Sequence, residues 1–137
     1  LTEKIAIYAP LEYIMTKRTQ EFEAEVFEAI RLKHYIELPP SIQNREIVTI
    51  KLRFRIKLIS DGFVQFYYNE INGRTSLALV AGNTRLYGHD YVPDKGWHKH
   101  TWPQGNHDYS EESVKSITVH DFMKNVDEII NHGGSFE

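Results

Sequence analysis

The sequence predicts an α+β fold, a four-stranded antiparallel meander open to five or more strands, with an N-terminal and a C-terminal helix packed on its apolar face. Three observations carry that expectation. From Val48 to Leu58 alternation is unbroken, with Val48, Ile50, Leu52, Phe54, Ile56 and Leu58 on one side and Thr49, Lys51, Arg53, Arg55 and Lys57 on the other. Turn signals recur ten or eleven residues apart at Asp61-Gly62, Asn72-Gly73 and Gly82-Asn83. Segments of helical period flank this stretch on both sides. The 137 residues, 41% hydrophobic and 26% charged, suit a single domain, 1–137. Within it the reading is a helical extension at 1–44, the meander at 45–92, a histidine-rich loop at 93–112, and a C-terminal helix and tail at 113–137.

Taken in order, Ile5 to Tyr8 suggests a short strand. Gln20 to Lys33 reads as a helix, because Phe22, Val26, Phe27, Ile30 and Leu32 recur at helical spacing while Glu21, Glu23, Glu25 and Glu28 take the other faces. Pro39-Pro40 ends any continuation. The strands are expected at 47–59, 63–71, 74–81 and 84–91. A last helix runs from Val119 to Asn131: Thr118 is its N-cap, Phe122, Val126, Ile129 and Ile130 are its apolar stripe, and Gly133-Gly134 stops it.

Turn length decides which side chains share a face. A three-residue loop Ser60-Asp61-Gly62 with Gly62 left-handed, and two-residue loops elsewhere, gather Leu52, Phe54, Ile56, Leu58, Val64, Phe66, Tyr68, Leu77, Leu79 and Leu86 on the core face. The opposite face then carries three cross-strand rows: Arg53, Asn69, Ser76 and His89; Arg55, Tyr67, Ala78 and Tyr87; Lys57, Gln65, Val80 and Arg85.

Composition narrows the chemistry. The chain has no cysteine, which excludes disulfides, thiolate metal sites and a thiol nucleophile, and makes the cytoplasm the simplest location. No apolar run reaches the roughly 20 residues that span a bilayer, so no membrane partner is expected. A formal net charge of -3 speaks against nucleic acid until it is resolved along the chain. Residues 1–44 carry -2, residues 45–100 carry +4 and residues 101–137 carry -5. The middle is thus a basic module between acidic flanks, and that division also makes a homodimer a natural arrangement. Four of the seven histidines, His89, His98, His100 and His107, fall within nineteen residues, the first three in that zone and His107 just beyond it.

Lys51, Arg53, Arg55 and Lys57 recur every second residue, about 6.6–6.8 Å apart, a spacing comparable with the phosphates of an extended strand. Tyr67 and Tyr87 are placed to stack bases beside that track, with Asn69 and Arg85 on the same face. The plainer alternative is a solvated face whose cations pair with helix glutamates. A second constellation runs through His89, Asp90, His98, Lys99, His100 and His107. His-x-His on an extended segment points both rings the same way, which suits acid/base work on a phosphodiester and also suits a metal. Lys99 or Arg85 would stabilise phosphoryl charge. A metal ion could draw on His98, His100, His89 and Asp90 or His107, although no His-Glu-x-x-His is present.

The succession Leu58-Ile59-Ser60-Asp61-Gly62, Tyr68-Asn69-Glu70, Tyr87-Gly88-His89-Asp90 and His98-Lys99-His100 before a short C-terminal helix resembles the TumE-type toxins of bacterial and archaeal toxin–antitoxin modules. The resemblance covers about residues 45–131. It implies a small ribonuclease neutralised by an antitoxin that carries a helix-turn-helix DNA-binding domain. By position it matches His98, Lys99 and His100 to the family's histidine signature, Asp90 to its strand-end aspartate, and Glu70 or Asn69 to a common acidic position. Tyr91 stands where asparagine is usual, and the arginine that usually precedes the aspartate is absent, with Arg85 the nearest.

The leading expectation is therefore a toxin that cleaves RNA without a metal or other cofactor. Catalytic candidates are His89, Asp90, His98, Lys99 and His100; RNA-binding candidates are Lys51, Arg53, Arg55, Lys57, Tyr67, Asn69, Arg85 and Tyr87. The alternatives are a non-catalytic module that binds nucleic acid or protein, and a metal-dependent hydrolase using His98 and His100.

Overall fold

The computed structural model describes residues 17–132, so the expected strand at Ile5 to Tyr8 and the stop at Gly133-Gly134 lie outside the described residues. Seven strands form one sheet in sequence order, each antiparallel to the next. They are β1 (Ser41–Arg45), β2 (Thr49–Ile56), β3 (Gly62–Asn69), β4 (Thr75–Ala81), β5 (Thr84–Val92), β6 (Gly96–Thr101) and β7 (Asn106–Asp108). Helix α1 (Lys17–Ile30) precedes them; a 3-10 turn (Glu111–Val114) and helix α2 (Val119–His132) follow. The architecture is the α+β meander expected, carried to seven strands. Among the described residues no helix is long and apolar enough to cross a membrane.

Both helices cover one face of the sheet. Phe22, Val26 and Ile30 of α1 and Phe122, Met123, Val126 and Ile129 of α2 close over Leu52, Phe54, Val64, Phe66, Leu77 and Leu79. Helix α1 starts and ends three residues earlier than its period suggested. Its start is set from outside, since the Thr19 amide and hydroxyl both donate to Glu70 Oε1, at 2.9 and 3.2 Å, placing a carboxylate at a helix N-terminus. Its end is marked by Leu32, exposed and left-handed at φ 67°. Helix α2 begins where its cap said it would, with the Asp121 amide donating to Thr118 Oγ1 at 3.0 Å. The segment 93–112, expected as a loop, instead supplies two more strands. Asp94 and Gly96, both at positive φ, turn the chain back so that β6 pairs with β5.

The register departs from the expected rows at each turn, and only one departure changes a face. Between β2 and β3 the loop has five residues, with Ile56 opposite Gly62. The left-handed residue there is Asp61, at φ 53°, not Gly62. Gly62 is needed for closeness, because a Cβ there would stand 2.5 Å from Ile59 Cβ. The shift moves Arg53 from Asn69 to Gln65 but keeps it on the same face. Lys57 falls beyond the strand, and Leu58, expected in the core, is exposed.

Between β4 and β5 the pairing starts as expected, Val80 opposite Arg85, and then slips by one residue so that Leu79 faces Tyr87. Leu86 is the extra residue of a bulge and is only partly buried at the core's margin. From there on parity is reversed. Tyr87 and His89 turn into the core, while Gly88 and Asp90 turn outward. Gly88 lets the strands close, because a Cβ at that position would lie 2.7 Å from the Leu77 carbonyl.

Candidate active site on the open face of the sheet

On the face away from the helices, Lys51, Tyr67, Ser76, Asp90 and His98 are successive cross-strand partners from β2 to β6. The next row is Arg53, Gln65, Ala78, Gly88, His100 and His107. Glycine opposite His100 leaves the space in which the β6 histidines lean toward Asp90. Three side chains converge there on a single oxygen. Asp90 Oδ2 accepts from Arg85 Nη1 at 2.5 Å and stands 3.3 Å from His98 Nε2 and 3.7 Å from His100 Nε2. Arg85 Nη2 also donates to Ser76 Oγ at 2.9 Å, so the guanidinium is fixed at both ends. The bulge at Leu86 is what brings Arg85 beside Asp90, five positions on in the same strand.

The other nitrogen of His100 meets a backbone acceptor. Its Nδ1 lies 2.8 Å from the Gly105 carbonyl, so Nδ1 carries a proton and Nε2 is the nitrogen turned toward Asp90. A side chain at Gly105 would collide with the Arg85 carbonyl at 2.1 Å, so this carbonyl is held close by glycine alone. His107 joins from β7: its ring stacks on His98 at 5.0 Å and meets His100 edge-on at 5.4 Å.

Burial pushes the Asp90 carboxyl up, but the Arg85 hydrogen bond and charge, with Ser76 and His98, outweigh it and hold the group below the usual carboxylate range. Asp90 is therefore an anion at neutral pH. Its second oxygen, Oδ1, is buried with no hydrogen-bond partner among the described residues. His98 is held below the ordinary imidazole value, chiefly by desolvation; Asp90 pulls the other way, while His100, His107 and Arg85 disfavour its cation.

Several expected roles are corrected by the register. Tyr87 cannot stack on RNA: it is fully buried, its ring stacked on Phe122 at 5.5 Å, with Asn125 Nδ2 donating to its hydroxyl at 2.6 Å. His89 is likewise buried, its Nε2 2.8 Å from Tyr87 Oη, and its pKa is lowered to about 4 by desolvation. It is a neutral core histidine that contacts no substrate. Lys99 sits opposite His89 and so points away from His98 and His100. Lys57 lies in the turn, where its amide donates to the Tyr35 carbonyl. Asn69 Oδ1 accepts from the Ile71 amide and belongs to a turn, and Glu70 caps α1.

Lys51, Arg53, Arg55 and Tyr67 keep the open face. Arg53 is held by Gln65 Oε1, at 2.9 Å from Nη2, and lies 3.8 Å over the Phe63 ring. Arg55 reaches Glu37 only at 3.9 Å, so the face is partly neutralised in the way the plainer alternative foresaw. Three strand steps, about 14 Å, separate this cationic strand from Asp90. Sequence reasoning missed Ser76 as an Arg85 partner and Gly105 as the orienter of His100; both depend on pairings between strands that no local pattern records.

Asp90, His98 and His100 also form a set whose ligand atoms all lie within 4.8 Å of one another, so two imidazoles and a carboxylate could hold a transition metal. The Gly105 carbonyl on His100 is the kind of outer partner that metal-bound histidines have. Arg85 argues the other way, since it places a fixed cation 2.5 Å from the one oxygen the three groups share. No protein-family model, curated protein or solved structure matches the chain.

Proposed function

We propose that the chain is a metal-independent endoribonuclease and the toxin of a toxin–antitoxin module. The observation that supports the cleavage chemistry best is the convergence of Arg85, His98 and His100 on Asp90 beside a basic sheet face. His100, with its free Nε2, removes the proton of the 2′-hydroxyl. The 2′-oxygen attacks phosphorus, the bond to the 5′-oxygen breaks, and His98 gives its proton to that leaving oxygen. Arg85 faces the phosphoryl oxygens as they gain charge, and Asp90 orients the guanidinium and the two imidazoles around it. The products are a 2′,3′-cyclic phosphate and a 5′-hydroxyl, with one proton taken up and one released.

Lys51, Arg53 and Arg55 hold the backbone on the far side of the same face, and Tyr67 lies between the two centres in the Asp90 row. The toxin role rests on the resemblance of the Asp90 and His98-Lys99-His100 motifs, with an antitoxin bearing a helix-turn-helix domain as partner. The test is expression of the chain in cells: growth arrest with RNA decay is expected, relieved by a neighbouring helix-turn-helix reading frame. Unchanged growth and intact RNA would count against it.

A metal-dependent hydrolase is the second reading, favoured by the ligand spacing of Asp90, His98 and His100. Metal analysis of purified protein and the chemistry of the cut ends separate the two, because metal-activated water leaves no cyclic phosphate.

A further inference from the structure

A cleft of about 550 Å³ adjoins the histidines, within the size range of small-ligand sites, and its walls include Arg74, Lys95, Trp97, His98, His107 and Tyr109. None of Arg74, Lys95, Trp97 or Tyr109 is needed by the chemistry above. Tyr109 is 88% exposed and stands in the wall of this cleft, so its ring is free to take a stacking partner. A chain of ring contacts leads to it from the proposed acid: His98 on His107 at 5.0 Å, then His107 on Tyr109 at 4.5 Å. Trp97 borders the cleft from the edge of β6, its ring beside Tyr91 at 5.7 Å and on the other side of the strand from His98. Arg74 and Lys95 are exposed and have no acidic partner among the described residues. Asp108 also lines the cleft, but Oδ1 of its carboxylate accepts the Ser110 amide at 2.8 Å, and the two cations outnumber it.

We propose that this cleft is the subsite for one unpaired nucleobase of the RNA, next to the phosphate that is cut. Tyr109 is its stacking face, Trp97 borders it from the strand edge, and Arg74 and Lys95 meet the flanking phosphates. The inference rests on the ribonuclease reading and deepens it. Aromatic faces joined to unpaired cations are the means by which proteins hold single strands, where bases are free to leave their own stack. Because His98 belongs to both the cleft and the cluster, a base seated here puts its own phosphate at the histidines. The enzyme would then act on single-stranded RNA and leave duplex intact.

The chain has two tryptophans, Trp97 and Trp102, so stacking can be read directly by fluorescence. The full chain is titrated with a 2′-O-methyl tetranucleotide, which cannot be cleaved, and with versions abasic at each position in turn. The intact oligonucleotide should quench tryptophan emission. One abasic position should bind about 5- to 150-fold more weakly and lose the quench. Trp97→Phe should bind without quenching, and Tyr109→Ala, which removes an exposed ring and leaves the core alone, should weaken binding over the same range. Equal binding of every abasic version, or quenching that survives in Trp97→Phe, overturns the subsite. Quenching by an acidic peptide and by no oligonucleotide assigns the cleft to a protein and overturns it as well. An oligonucleotide that binds and quenches in a chain unable to cut ordinary RNA upholds the subsite while the ribonuclease reading fails.

Discussion

At the scale of single residues the chemistry turns on His98 and His100, each of which presents Nε2 to Asp90. Removing His100 or His98 by substitution with alanine should lower the rate of RNA cleavage about 10²- to 10⁴-fold with little change in binding. Cleavage within a few-fold of the unmodified chain would remove both from the chemistry. The direction of the His98 shift adds a pH expectation. An acid must start protonated, and desolvation holds His98 below the ordinary imidazole value of about 6.5. The rate for the free enzyme should therefore fall as pH rises above that lowered value, placing the optimum on the acid side of neutrality; a profile still climbing through pH 8 contradicts His98 as the acid. Much of this was legible in the sequence, because His-x-His in an extended segment shares a face wherever that segment is placed. His89 was not, since its face depends on one extra residue, Leu86, three positions earlier.

At the scale of elements, β5 is where register and chemistry meet. Its bulge sends Tyr87 inward to Asn125 of α2 and His89 to the Tyr87 hydroxyl, and sends Asp90 outward to Arg85. Gly88→Ala should cost about 1–3 kcal/mol in chemical denaturation, because its Cβ would enter the space of the Leu77 carbonyl at 2.7 Å. Unaltered stability would mean that the strands are not so tightly closed. The buried His89 gives a second expectation. Its pKa is about 4 in the folded chain against about 6.5 when exposed, so between these values the unfolded state binds more protons. Stability from this residue is complete above about pH 6.5 and declines as pH falls toward 4, by at most about 3 kcal/mol. His89→Phe should flatten that part of the stability curve; an unchanged slope assigns the loss in that range to His98, which desolvation also holds below the ordinary imidazole value, since Asp90 acts only at more acid pH. The alternation of β2 could be read without the structure because its period is local. The length of the turn at Ile59 to Gly62 could not, as it is set by how closely the Ile59 side chain packs over a glycine.

At the scale of the whole molecule, the division of charge along the sequence survives folding only in part, since Glu37 reaches Arg55 and Asp108 lines the cleft beside His107. The helices and their acidic residues lie on one side of the sheet, while Lys51, Arg53 and Arg55 stand on the other with the histidine cluster. Arg53→Gln with Arg55→Gln should weaken RNA binding and reduce the slope of log affinity against log salt by about 1 to 2; identical slopes would leave the basic strand without a role in binding. The fold class was legible because meander, turns and helices repeat one another's message at every level. The extension to seven strands was hidden, since Gly96 to Thr101 mixes polar and aromatic residues and is half-buried throughout. The most direct test of metal-free cleavage is incubation of the purified chain with single-stranded RNA in excess EDTA, with the new ends identified by mass. Cleavage with 2′,3′-cyclic phosphate ends, abolished in the His98→Ala and His100→Ala chains, is the expected result. Intact RNA that is cut only when a divalent metal is restored would contradict metal-free cleavage by these histidines.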